Sequence, residues 1–159
     1  MTAPAQKTLF LDIDGVLHPF GTPVLSGAGY TKWDLPEIFL WRPLLEAALE
    51  PFPDVAIVIS SSWRAMYDDG DLRNRVLGPR LANRFAGSTG DESGLTRAEE
   101  ILEYVDMREL RHWIALDDDE TVKHAEREER RFVWCPPDRG IAHPTALMRL
   151  RMRLQQMAK

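Results

Sequence analysis

The 159-residue sequence predicts an α/β fold built on a parallel sheet, and three observations carry that prediction. Five short apolar runs alternate with stretches of helical pattern, the order in which parallel strands and their crossover helices occur. One run, Val55 to Ile59, is apolar throughout and mostly β-branched, as a strand buried on both faces requires. Three runs lead directly into residues able to do chemistry, Asp12, Ser60 and Asp117. Ligands of open parallel sheets bind beyond the carboxyl ends of the strands, where strand order reverses. With the first strand central, the second and third to one side and the fourth and fifth to the other, Asp12 and Asp117 are expected to flank that point. At about 150 residues per domain the chain has room for one, spanning residues 1–159.

The first strand is expected from Thr8 to Leu11. A turn-rich stretch at about 18–35 follows, with Pro19, Gly21, Pro23, Gly27 and Gly29, and reads as a hairpin or flap leaving the strand tip. Pro43 to Glu50 is expected to be helical: proline suits a first turn, and Leu44, Leu45, Ala48 and Leu49 share a face. Pro51 and Pro53 end it. After the Val55 to Ile59 strand, a polar helical segment is expected around Asp71 to Asn83 and a short third strand near Arg84 to Ala86. Thr96 and Glu99 have the spacing of a capping box and open a helix whose apolar face is Ala98, Ile101, Leu102 and Val105. The fourth strand runs from His112 to Leu116, followed by a helix through Thr121, Val122 and Ala125 that Asp119 caps. The fifth strand is Phe132 to Trp134, and a last helix spans about 143–158.

Composition narrows the function classes. Hydrophobic residues make up 44% and charged residues 28%, which excludes a disordered chain, a collagen-like repeat and a disulfide scaffold. The lone Cys135 closes an apolar run, cannot form an internal disulfide and reads as a small buried hydrophobe in a reducing compartment. No run approaches the roughly 18 apolar residues of a membrane span, and Asp12 cuts Leu9-Phe10-Leu11 too short for a signal-peptide core, so a cytoplasmic location is expected. Twenty basic against 25 acidic residues give a net charge of −5, which argues against broad attraction to nucleic acid or anionic lipid. The basic stretch ending the chain, with Arg149, Arg151, Arg153 and Lys159, reads as a solvated helix face.

The chemistry lies in two strand exits. One reads Leu11-Asp12-Ile13-Asp14-Gly15-Val16-Leu17, the other Ala115-Leu116-Asp117-Asp118-Asp119. At an effective dielectric of about 20, two like charges about 5 Å apart repel by roughly 3 kcal/mol, so converging carboxylates call for a cation. Oxygen-only ligands in small number favour Mg²⁺, which keeps several waters and shares phosphate oxygens.

The Asp12-to-Leu17 string after an apolar strand resembles the first motif of the haloacid dehalogenase-like (HAD) superfamily of phosphotransferases. A hydrophobic strand ending in Ser, a basic helix start and a strand ending in an acidic pair follow in the family's order. The resemblance implies a Rossmann-like three-layer sandwich around a central parallel sheet of about five strands, and a phosphohydrolase. It makes Asp12 the nucleophile that becomes a transient aspartyl-phosphate, and Asp14 the general acid and base. Ser60 matches the hydroxyl that binds a transferring phosphoryl oxygen, with Ser61 a near-equal candidate. Arg97, directly after Thr96, matches the third motif, with Arg64 and Arg84 as alternatives. Asp117 and Asp118 complete the metal site with Asp12 and the Asp14 position, where the family uses the backbone carbonyl.

The segments after Asp14 and after Ser62 are too short for a large cap domain, and an open site suits a phosphate on a large substrate. Ser60-Ser61-Ser62-Trp63-Arg64, Leu116-Asp117-Asp118-Asp119 and Cys135-Pro136-Pro137-Asp138-Arg139-Gly140 are similar to the small capless HAD domains of Swiss-army-knife RNA repair proteins. That similarity implies removal of a terminal phosphate from RNA or another polynucleotide, with Trp63 stacking on a base and Arg64 pairing with phosphate. The competing reading packs Trp63 at the core edge under Arg64. His18 reads as an incidental loop residue, and Trp33 and Trp41 as packing for the flap. A phosphotransferase of the same fold and a non-catalytic phosphate- or metal-binding domain remain the alternatives.

Overall fold

The computed structural model describes residues 5–25, 28, 33–90 and 94–159. Its sheet has five strands: β1 (Lys7–Leu11), β2 (Val55–Ile59), β3 (Phe85–Ser88), β4 (His112–Asp117) and β5 (Phe132–Trp134). They lie in the order β3-β2-β1-β4-β5 and every neighbouring pair is parallel, the arrangement expected from the sequence. In the register, Leu11 pairs with both Ile59 and Leu116, so the tips of the three central strands end level. The amide of Asp12 donates to the Leu116 carbonyl and that of Ser60 to the Leu11 carbonyl, both at 3.0 Å, which carries the ladder one residue beyond the strands.

Helices cover both faces. On one side, α1 (Arg42–Leu49), α2 (Asp69–Asp71) with its π-helical continuation Leu72–Leu77, and α5 at the end of the chain (Pro144–Met157) pack their apolar residues on Leu9, Leu11, Ile57, Ile59 and Leu116. On the other side, α3 (Arg97–Met107) and α4 (Glu120–Ala125) bury Ala98, Ile101 and Val122 against Phe10, Val58 and Ala115. Alternate residues of one strand thus serve opposite layers, and because both layers are apolar the strands carry no polar stripe. Among the described residues no second domain stands over the strand tips, and no helix is long and apolar enough to cross a membrane.

Three local expectations need adjustment. The polar segment expected to be helical around Asp71 to Asn83 is helical over residues 69–77 and again as a 3₁₀ turn over Ala82–Arg84, with a break between them. Gly78 at φ +76° stops the π-helical turn, and Leu72, Val76 and Leu77 are buried, so tertiary packing overrides the polar composition. The third strand begins at Phe85 rather than Arg84, whose guanidinium instead binds the carbonyls of Leu49, Phe52 and Val55. On α3, Leu102 is 43% exposed, while Tyr104, outside the expected apolar face, packs edge-on against Phe10 at 5.3 Å. The described part of the expected flap runs as turns without a regular helix or strand; Gly27 and Gly29 lie outside the described residues.

Candidate active site

Leaving β1, the chain turns at once. The amides of Val16 and Leu17 both donate to the Ile13 carbonyl, at 3.1 and 2.9 Å, and the Gly15 amide donates to His18 O at 2.9 Å. Gly15 adopts φ +74°, and a β-carbon there would lie 2.6 Å from Asp118 Cγ. Glycine is therefore demanded twice, by backbone sign and by the closeness of an acidic side chain. This turn brings His18 back against Asp14.

Across the sheet, β4 delivers its own acids to the same place. Asp12, Asp117 and Asp118 each offer a carboxylate oxygen, and the three oxygens lie within 4.8 Å of one another. Burial first, then a hydrogen bond with Asp118, pushes the Asp12 carboxyl up to about 7 despite the nearby Arg97. Burial and next the charge of Asp12 raise Asp117 well above the usual carboxylate range, and burial with the charge of Asp117 raises Asp118.

Arg97, the first residue of α3, reaches into this cluster. Its Nη1 donates to Asp117 Oδ2 at 2.9 Å and lies 3.4 Å from Asp12 Oδ1. Burial alone would lower the guanidinium's pKa, but attraction by Asp117 and Asp12 outweighs it and raises it. Glu100, one helical turn on, sits 3.7 Å from Arg97 Nε and accepts a 3.1 Å hydrogen bond from Arg64 Nη2. Sequence reasoning missed Glu100, although its i,i+3 spacing from Arg97 was the available signal.

Asp14 points elsewhere. Its Oδ1 lies 2.7 Å from His18 Nε2 and its Oδ2 accepts from the Trp63 indole N–H at 2.9 Å. Burial alone would raise its pKa, but these two hydrogen bonds outweigh it and hold the carboxyl below its ordinary value. At the tip of β2, the Ser60 hydroxyl is buried with no hydrogen-bond partner among the described residues, and the hydroxyls of Ser88 and Thr89 at the neighbouring tip share that condition. A buried hydroxyl left so forgoes about 1–3 kcal/mol unless something outside the protein completes it.

Residues 8–146 match the family described as the HAD domain in Swiss Army Knife RNA repair proteins. The chain belongs to this family. Comparison with curated proteins and with solved structures gave no significant match. The matched residues take in the five-stranded sheet from Thr8 onward and both acidic strand tips.

Several residues of this HAD domain sit otherwise than their sequence pattern suggested. Trp63 is fully buried, with its ring among His18, Phe39 and Tyr67, so it has no face for a base; stacking on substrate is replaced by a bond to Asp14. Ser61 accepts from the Trp63 amide and caps the short 3₁₀ turn Ser62–Ala65. Arg64 is held by the Ser61 carbonyl and by Glu100. Arg84 braces the amino end of β2, far along the strand from the carboxylates, which removes it from the third motif. His18 is fully buried and bonded to Asp14 rather than incidental. Asp119 caps α4, and Trp33 and Trp41 pack on the core. Cys135 is buried, and its thiol is pushed up first by burial and then by Asp117, which suits a packing role. Arg149 pairs with Glu126, and Arg153 reaches the Arg130 carbonyl near the amino end of β5.

The donor set fits Mg²⁺. It is all oxygen and small in number, and burial with mutual repulsion raises the affinity of Asp12 and Asp117 for protons despite Arg97, which a bound divalent cation would relieve. The ligands would be Asp12, Asp117 and Asp118; the Asp14 carboxylate is turned toward His18 and Trp63 and is not part of that oxygen cluster.

Proposed function

We propose that the chain is a Mg²⁺-dependent phosphomonoesterase working through an aspartyl-phosphate on Asp12, with the terminal phosphate of RNA or another polynucleotide as substrate. One observation carries this reading above all. Asp12, a guanidinium 3.4 Å from it and two further carboxylates meet at the tips of the two central strands. Membership in a family of RNA repair proteins and the lack of a covering domain among the described residues support the polymeric substrate.

In the first step Asp12 attacks phosphorus in line, the bond to the leaving oxygen breaks, and Asp14 gives that oxygen a proton. In the second, Asp14 takes a proton from water, whose oxygen attacks phosphorus while the bond to Asp12 breaks, releasing inorganic phosphate. Arg97 offsets the charge of nucleophile and phosphoryl group, and Ser60 can donate to a phosphoryl oxygen. Asp14 rests as a carboxylate; a phosphate dianion arriving beside it raises its affinity for the proton the first step uses. Bound Mg²⁺ would neutralise phosphate charge and hold the carboxylates apart from their protons.

The test is phosphate release from 5′- and 3′-phosphorylated RNA and DNA, nucleotides, sugar phosphates and phosphopeptides, with and without Mg²⁺. Release from polynucleotide ends that depends on Mg²⁺ is the expected result; no release from any of them overturns the proposal.

Stability should report the same site. A carboxyl whose pKa is raised on folding contributes stability that is complete below its unfolded value near 3.8 and is lost as pH rises through about 7. Asp117 and Asp118 act in the same direction. In EDTA, therefore, Tm should fall between pH 5 and pH 8, and millimolar Mg²⁺ should restore more of it at pH 8 than at pH 5. Calorimetry showing a Tm indifferent to Mg²⁺ at both pH values would contradict the metal assignment.

A further inference from the structure

We infer that His18 and Trp63 are positioning residues that lock the Asp14 carboxylate in one orientation, with the strained backbone at Phe39 selecting the imidazole tautomer that does so. This rests on the reading of Asp14 as the proton carrier. Each Asp14 oxygen takes one hydrogen bond, from His18 on one side and from Trp63, 49 residues away, on the other. Two donors on two oxygens fix both the position and the plane of a carboxylate, which a single bond leaves free to rotate. Two of its four lone-pair directions stay unused, and the side chain is 34% exposed, so the reacting face remains open.

The tautomer is set from behind. The Phe39 amide donates to His18 Nδ1 at 3.2 Å, so that nitrogen is bare and the ring proton sits on Nε2, facing Asp14. Phe39 reaches this pose at φ +56°, a left-handed conformation that costs a bulky residue about 1 kcal/mol or more. Its ring, 5.7 Å from both His18 and Trp63, packs the same two side chains that hold the acid. The strain and the hydrogen bond converge on one imidazole, and Ser61 fixes the other arm by capping the turn that carries Trp63.

The variants Trp63→Phe, His18→Phe and His18→Gln test this, since glutamine can present an N–H close to the place of Nε2. General acid catalysis contributes about 10²–10⁴-fold, so losing one of two orienting bonds should lower kcat about 10-fold or more with KM little changed. The loss should be greater for an alkyl phosphate than for p-nitrophenyl phosphate, whose leaving group needs no proton, and His18→Gln should recover most of it. An unchanged kcat, or equal losses on both esters, overturns the inference. A second readout needs no turnover: in Asp14→Ala, the Trp63 indole N–H resonance should shift and exchange faster with solvent. An unmoved resonance overturns the inference even if the wild-type protein hydrolyses nothing, while a moved one with an inactive wild type separates the geometry from the proposed activity.

Discussion

Asp12→Asn is expected to abolish phosphate release, lowering kcat by about 10⁴-fold or more while the fold stays intact. Asparagine keeps the shape of aspartate but cannot form an acyl phosphate and brings no negative charge to phosphorus, and nucleophile losses in enzymes of covalent mechanism are of this size. The substitution carries an opposite signature in stability. Asp12 is buried beside Asp117 and Asp118, and burial with the hydrogen bond to Asp118 has pushed its carboxyl up to about 7. Its ionised form is therefore disfavoured in the absence of a metal ion even with Arg97 beside it, and the amide removes that charge while its N–H can still donate to Asp118. In EDTA at pH 8 the variant should melt at or above the wild-type Tm; in Mg²⁺ the order should reverse, because a ligand has been lost. Turnover of p-nitrophenyl phosphate with paired melting curves measures both. Wild-type activity in the variant would reject Asp12 as nucleophile.

Arg97→Ala should cost the most stability of any single change at the site. The guanidinium is the cation that faces Asp117 at 2.9 Å and Asp12 at 3.4 Å, and it is mostly buried with them. Removing one partner of a buried ion pair leaves charge without compensation, typically about 3–5 kcal/mol. The remaining carboxylates can escape by taking up protons, so the loss of Tm should be larger at pH 8 than at pH 5. Glu100 would lose a neighbour as well, although it keeps Arg64. Because Arg97 also offsets charge in the reaction, kcat should fall about 10²–10³-fold under conditions where the variant is folded. Equal Tm values for variant and wild type at pH 8 would show that the cluster does not depend on Arg97.

Much of the fold was legible because its signals are local. The runs of Val55 to Ile59 and Phe132 to Trp134 match their strands residue for residue, and Thr96 with Glu99 forms the reciprocal capping box that their spacing announces. Where the reading fell short, distant contacts are involved. Leu102 fits the helical period yet is exposed, while Tyr104 on the same helix packs on Phe10 of the sheet. The polar stretch 71–83 is helical as its pattern suggests but is interrupted at Gly78, and its helical part winds as a π-helix with Leu72, Val76 and Leu77 in the core.

The site divides along the same line. Residue order alone placed acids and a hydroxyl at strand tips, since a parallel sheet aligns carboxyl ends and a strand shows where it stops. It could not say that Trp63 would be buried with its indole N–H on Asp14, that His18 would hold the other oxygen, or that Ser61 would cap while Ser60 stayed without a partner among the described residues. Those outcomes depend on side-chain directions and packing across tens of residues of chain, where a shift of one residue or one rotamer changes the partner. Periodicity records which face a residue occupies; only the assembled core determines what it meets there.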